Sequence, residues 1–84
     1  MNAQRPQMVV KILAGKVVVL DIFPGDTIQT VKERISTREA IPVVDQRIIC
    51  NGKELDDAVL VSDEPRLTRD TIHCVTRRKQ EEKN

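Results

Sequence analysis

The residues of this sequence that could carry covalent or metal chemistry are two cysteines and one histidine, Cys50, Cys74 and His73. A structural zinc site takes about four Cys or His ligands, usually with closely spaced pairs among them. The two cysteines are far apart in sequence, and one histidine cannot complete a ligand set. No nucleophile–base pair accompanies them. The sequence therefore predicts reduced, partly buried thiols, no catalytic, metal or cofactor site, and a protein that is not an enzyme.

Composition narrows the possible partners. The 84 residues include 14 Lys+Arg and 13 Asp+Glu, so the net charge is +1 and no long-range field favours nucleic acid or an acidic membrane. A single Phe, with no Tyr or Trp, provides no stacking platform for single-stranded nucleic acid. No apolar run approaches the roughly 18 residues of a membrane span, and the polar start lacks a signal-peptide core. We expect a monomer in the cytoplasm or nucleus, with neither nucleic acid nor membrane as partner.

One amphipathic helix is predicted after the Pro24-Gly25 pair, which ends the preceding element. Asp26 or Thr27 is suited to cap this helix, because either side chain can accept a hydrogen bond from an unpaired backbone N–H. Apolar residues then recur at helical spacing, and the polar residues beside them, Lys32 included, are expected to face solvent. The apolar stripe consists of Ile28, Val31 and Ile35. A lone helix needs a sheet to bury such a stripe.

Two apolar runs before the helix, 8–13 and 17–23, predict an antiparallel hairpin joined by a short turn that contains glycine. Side chains alternate between the two faces of a strand, so Lys11 and Asp21 indicate which faces meet water. The inward set is Met8, Val10, Val18, Leu20 and Ile22, and the outward set is Val9, Val17 and Val19.

Further strands are predicted after the helix. Residues 47–50 form one strand, Asn51-Gly52 is the strongest hairpin-turn signal in the chain, and residues 53–55 pair back briefly. Residues 71–76 form the last strand. Its inward residues are expected to be Ile72 and Cys74, and its outward residues His73 and Val75.

This order of elements, ββαβ(β)β, favours an α+β fold in which a mixed sheet wraps on one helix. The last strand can reach the first hairpin only through a long crossover, which predicts a parallel pair. The domain is expected over 8–77, with a flexible arm at 1–7 and a flexible charged tail at 78–84.

Many residues stand in the register of one known family. They are Val10-Lys11, Leu13, Gly15-Lys16, Pro24, Asp26-Thr27-Ile28, Val31-Lys32, Ile35, Glu39, Ile41-Pro42, Gln46-Arg47, Gly52-Lys53, Leu55, Asp57, Ser62-Asp63, Thr71, His73 and Val75. In these positions, from about Met8 to Arg77 and without a gap, the chain resembles the ubiquitin-like superfamily. The resemblance implies the β-grasp fold. It does not settle the role within the family, because function lies in sites rather than folds.

The resemblance also implies an apolar patch on the sheet that ubiquitin receptors engage with a helix or a small domain. The strand pattern supports it, because three of the four residues are predicted to face outward. Singly exposed aliphatic side chains are also ordinary on soluble proteins. The implied partners are ubiquitin-receptor proteins or proteasome subunits, bound non-covalently and without a cofactor. The patch residues are Leu13, Ile49, His73 and Val75, hereafter the sheet patch, and the polar rim is Arg47, Gly52 and Lys53.

The residues after Arg77 depart from the family pattern. Covalent family members end in Gly-Gly, whose missing side chains let the terminus enter narrow enzyme channels. Here no glycine follows Gly52, and residues 78–84 are charged or amide residues. The sequence therefore predicts a non-conjugated ubiquitin-like protein or domain. The alternative is a covalent modifier whose processed terminus is not present in this chain.

A second departure lies on the first hairpin, whose outer face is more apolar than the family pattern. Either this face is a second partner surface, or it belongs to a flat edge strand that tends to associate. The residues are Val9, Val17 and Val19, hereafter the valine cluster, with Phe23 as a further candidate.

Overall fold

The structure is a computed structural model that describes residues 6–76. Five strands and one α-helix follow the predicted order. The elements are β1 (Gln7–Lys11), β2 (Val17–Asp21), α1 (Ile28–Glu39), β3 (Gln46–Cys50), β4 (Lys53–Glu54) and β5 (Ile72–Thr76). Because β1 begins at Gln7, this residue belongs to the sheet rather than to the predicted arm. Residues 1–5 of that arm and the predicted tail lie outside the described residues.

The strands form one mixed sheet with the order β2-β1-β5-β3-β4. β1 and β5 pair in parallel at its centre, and the other neighbouring strands pair antiparallel. The crossover between β1 and β5 contains all the remaining elements, which agrees with the long connection that a parallel pair requires. The predicted α+β, β-grasp fold class is confirmed.

Alternating side chains separate the sheet into an inner face, which packs on α1, and an outer face. The whole inward set predicted for the first hairpin is buried, and the three valines predicted to face outward are exposed. In β5 the pattern is the same, with Ile72 and Cys74 buried and His73 and Val75 exposed. The predicted faces are therefore correct for both hairpin strands and for β5.

The helix is held by its apolar stripe and by its caps. Ile28, Val31 and Ile35 are fully buried, and each such side chain contributes about 1.5–3 kcal/mol relative to an exposed one. Of the two predicted caps, Thr27 is the N-cap residue, since its Oγ1 accepts a hydrogen bond from the Thr30 N–H at 3.3 Å. At the other end Ala40 adopts a left-handed conformation, and its N–H donates to the Ser36 carbonyl at 2.8 Å.

The expectation that Lys32 faces solvent is wrong. Lys32 is only 7% exposed, and its Nζ donates to Asp57 Oδ1 at 2.6 Å. It directly follows Val31 on the helix, so its aliphatic stem lies beside the buried stripe and the ammonium ends at the long loop after β4. A cation can be buried in this way only because a carboxylate pairs with it.

Gln46 is the other buried polar residue of the described chain, at 2% exposure. Its Nε2 donates to the carbonyls of Lys32 at 2.9 Å and Ile41 at 3.0 Å. Its Oε1 accepts a weak hydrogen bond from Cys74 Sγ at 3.7 Å. One amide side chain thus joins the middle of α1, the segment after the helix, and β5.

The tight hairpin between β3 and β4 has the backbone that its sequence predicts. Asn51 and Gly52 both have positive φ, at 52° and 80°, which suits the two central residues of a type I′ turn. The long connection from Asp56 to Asp70 contains two short 3-10 helices, Val61–Asp63 and Pro65–Thr68. These agree with the turns predicted there, and they place Val61 and Leu67 in the core.

Candidate functional site

The outer face of the sheet brings the four predicted patch residues together. β3 and β5 pair so that Ile49 lies opposite His73. Val75 follows two residues later on the same face of β5, and Leu13 lies in the short 3-10 helix that succeeds β1. Leu13 is 53% exposed and Ile49 is half-buried, so Ile49 forms the floor of the sheet patch.

A groove of about 470 Å³ runs along the seam between the end of β1 and β5. Its lining includes Leu13, His73 and Val75 together with Lys11, which is in register with His73. Lys11 is not among the residues that the sequence predicts for the site. The available signal was the parallel pairing of β1 and β5, because it sets these two residues side by side.

The rim of the sheet patch differs in part from the predicted one. Arg47 lies opposite Val75 and its Nη2 is 3.5 Å from Glu54 Oε1. Glu54 is in register with Ile49, whereas Lys53 is in register with Cys50, whose side chain points to the inner face. Gly52 lies in the exposed turn. The structure thus places Arg47 and Glu54 beside the patch. A two-residue Asn-Gly turn fixes this register, so the sequence contained the signal for Glu54.

The valine cluster lies on the same face, at its other end. Val9 is in register with Val19, and Val17 with Lys11. All three side chains are exposed. Phe23 follows β2 and contacts α1 instead, since the Arg34 guanidinium lies 5.4 Å from its ring centre. Phe23 is therefore not a member of the cluster.

The two thiols that could carry covalent chemistry lie on the opposite face of the sheet from the sheet patch. Cys50 and Cys74 are free and buried on the inner face, and burial raises the pKa of each thiol. A thiol held in its protonated form is a poor nucleophile. Within residues 6–76 no three His, Cys, Asp or Glu side chains come together as a metal site. No helix in that part of the chain is long and apolar enough to cross a membrane.

Comparison with known proteins identifies the family to which this chain is similar. The model of the ubiquitin family matches residues 8–79. The ubiquitin-like protein NEDD8 of Dictyostelium discoideum is 48% identical over 48 residues, which are 57% of this chain and 62% of that protein. The NEDD8-like protein RUB1 of Saccharomyces cerevisiae is 33% identical over 66 residues, or 79% of this chain and 86% of the relative. The chain thus spans about three-fifths of the first relative's length and most of the second's.

Proposed function

This chain belongs to the ubiquitin family, and from that premise we propose that it is a binding module that acts non-covalently. Its partners are ubiquitin-receptor proteins or proteasome subunits, and the sheet patch is the surface that they contact. The proposal assigns no catalytic step to the chain. Its function is to be recognised.

One observation carries the proposal: the side chains of the sheet patch converge from three separate segments onto one open surface. Leu13 and Val75 flank the groove between β1 and β5, and Ile49 lies across β5 from it. Exposed aliphatic side chains that touch one another form a patch from which water is displaced on binding, whereas scattered ones do not. This convergence favours a partner surface over incidental exposure.

The charges around the patch indicate what such a partner carries. Arg47 is about two-fifths exposed and its contact with Glu54 is long, so its guanidinium remains open to a further carboxylate. Lys11 extends along the groove from the other side. A receptor segment with apolar residues for the patch and acidic residues at its edge complements both features.

A covalent ubiquitin-like modifier is the second candidate, because relatives named NEDD8 and NEDD8-like match this chain. That function requires a processed Gly-Gly terminus, and no glycine follows Gly52 in this sequence. Incubation with an activating enzyme and ATP separates the two candidates. A thioester adduct that resists boiling in detergent but is cleaved by thiol would favour the modifier.

The principal test is a titration of the isotope-labelled full chain with a synthetic ubiquitin-interacting helix, followed by NMR. We expect the amide signals of the sheet patch to shift. Ile49→Ala should weaken binding by about 1–2 kcal/mol, because truncation at the centre of an interface is where such losses concentrate. The matched control is Val44→Ala, since Val44 is 75% exposed in the turn before β3 and lies off the patch.

Equal affinity of the parent chain and Ile49→Ala, with unchanged signals at the patch residues, would refute this function. Loss of affinity in Val44→Ala alone would move the binding surface to the end of α1 and refute it equally.

A further inference from the structure

One row of outer-face side chains crosses the whole sheet in continuous register. Ile49 lies opposite His73, His73 lies beside Lys11, and Lys11 lies opposite Val17. Glu54 extends the row beyond Ile49 on β4. The row thus links the sheet patch at one end with the valine cluster at the other, and Lys11 stands between them.

Lys11 differs from three other basic side chains of the domain in lacking a carboxylate partner among the described residues. Lys16, Lys32 and Arg34 each form an ion pair with a carboxylate. The side chain of Lys11 has no hydrogen bond or ion pair with any residue of the range 6–76. It is exposed, with Val17 beside it on β2 and His73 beside it on β5. Covering this surface would strand the ammonium without water unless the covering partner brought a carboxylate.

We propose that the sheet patch and the valine cluster are two ends of one docking surface, and that its partner is an acidic amphipathic helix lying across the strands. This inference rests on the proposed function and extends it to β2. Lys11 is the residue that receives the carboxylate of the helix.

The spacing of the row sets the pattern of the helix. Neighbouring strands are about 4.8 Å apart, so the three steps from Ile49 to Val17 span about 14 Å. A helix rises 1.5 Å per residue, so about ten of its residues cover that distance. Helix positions i, i+3, i+7 and i+10 share one stripe. The first and last residues of this stripe are apolar and contact Ile49 and Val17. The residue seven positions after the one that contacts Ile49 is acidic and faces Lys11.

Two other occupants fit the surface less well. A second copy that lay face to face would bring another Lys11 to this surface but no free carboxylate, because its Glu54 is already in contact with its own Arg47. A strand added at the free edge of β2 would first have to displace Arg38, whose Nη1 donates to the Val19 carbonyl at 3.0 Å. The face accepts an acidic helix without either cost.

The test uses a labelled 18-residue synthetic helix with Leu at stripe positions 1 and 11 and Glu at positions 4 and 8, a pattern that reads the same in both chain directions. Anisotropy titrations measure its affinity for the full chain and its variants. Val17→Ser should weaken binding about five- to tenfold, as loss of a buried aliphatic contact does, and Val44→Ser should leave it unchanged. Lys11→Glu should weaken it about tenfold, and a peptide with Lys in place of both Glu residues should restore it.

A peptide with Ser in place of one Leu completes a double-mutant cycle with Val17→Ser. With this peptide, Val17→Ser should cause no further loss of affinity, because the remaining Leu occupies the sheet patch. Binding that depends on Ile49 but is indifferent to Val17→Ser and Lys11→Glu would refute this inference and leave the proposed function standing. Binding indifferent to Ile49→Ala would refute both. A dimer that forms without peptide and is abolished by Val17→Ser in sedimentation would also refute it, since a second copy would then cover the cluster.

Discussion

Ile48 and Ile49 are neighbours in β3, and together they show how the two faces of the sheet differ. Ile48 is completely buried against the inner core, whereas Ile49 lies half-buried among the sheet patch residues on the outer face. Val18 and Val17 repeat the contrast in β2, with Val18 buried and Val17 exposed. The two residues of each pair are of the same type. The strand register alone therefore decides whether an aliphatic side chain packs in the core or lies on the outer face.

Polar groups follow the same division. On the helix side Lys32 is paired with Asp57, and Gln46 satisfies two backbone carbonyls. On the outer face Lys11 has no such pairing with other residues in the described part of the chain. Lys32 and Gln46 are thus satisfied within the domain, whereas the buried Thr76 Oγ1 has no hydrogen-bond partner among the described residues. Under the proposal above, a partner would supply the carboxylate that Lys11 lacks.

The largest effect that would test this division comes from truncating the two isoleucines. Ile48→Ala should lower the free energy of unfolding by about 2–5 kcal/mol, because it removes a fully buried side chain and leaves a cavity. Ile49→Ala should lower it by no more than about 1 kcal/mol, since surface truncations leave little void. Urea unfolding followed by circular dichroism measures both. Equal losses in the two variants would break the comparison between faces.

Gln46→Ala tests the polar part of the inner face. It leaves the carbonyls of Lys32 and Ile41 without their donor in a buried site, which should lower the free energy of unfolding by about 2–3 kcal/mol. Amide hydrogen exchange should also accelerate in the middle of α1, around Lys32. The control is Gln29→Ala, because Gln29 is exposed on α1 and its side chain bonds only to Glu33 among the described residues. A loss in Gln46→Ala as small as in this control would show that water already satisfies those carbonyls.

The smallest effect concerns paired and unpaired charges. Two guanidinium nitrogens of Arg34 donate to Asp26, and the pKa of that carboxyl is lowered chiefly by this hydrogen bond, against desolvation that raises it. Asp26→Asn should therefore cost about 0.5–1 kcal/mol at pH 7. Lys11→Ala should cost nothing measurable.

The pH dependence of this difference has a definite sign. Because the folded-state pKa of Asp26 lies below its ordinary value of 3.8, the ion pair stabilises fully above that value, and the contribution is lost as the pH falls through the folded-state pKa. Urea unfolding at several pH values should show Asp26→Asn and the parent chain converging in that acid range. A gap that stayed constant down to the acid limit would assign the loss to packing instead.

The inner face was largely predictable from sequence, because hydrophobic periodicity specifies it locally. The stripe of Ile28, Val31 and Ile35 and the alternation in the first hairpin each needed only neighbouring residues to be interpreted. Asn51-Gly52 fixed the second hairpin for the same reason. Each of these predictions is confirmed by the structure.

The error at Lys32 and the omission of Lys11 both involve residues far apart in the chain. Lys32 was expected in solvent because its partner, Asp57, is 25 residues away and no neighbouring residue indicates the pairing. Lys11 was set aside as a solvated lysine, since its place beside His73 depends on a parallel pairing across the whole domain. The sheet patch itself was predicted only through the family resemblance, and its role in binding stays a prediction.

The position of β5 sets the order in which the outer surface comes into existence. It is the last described strand in the chain, yet it lies between the hairpin β1–β2 and the hairpin β3–β4. These two hairpins do not pair with each other directly. A ribosome releases both hairpins before Ile72–Thr76 emerges. Until β5 has been inserted, Leu13 and Ile49 belong to two half-sheets that share no edge. The sheet patch therefore exists only once the last strand of the domain has paired with both of its neighbours.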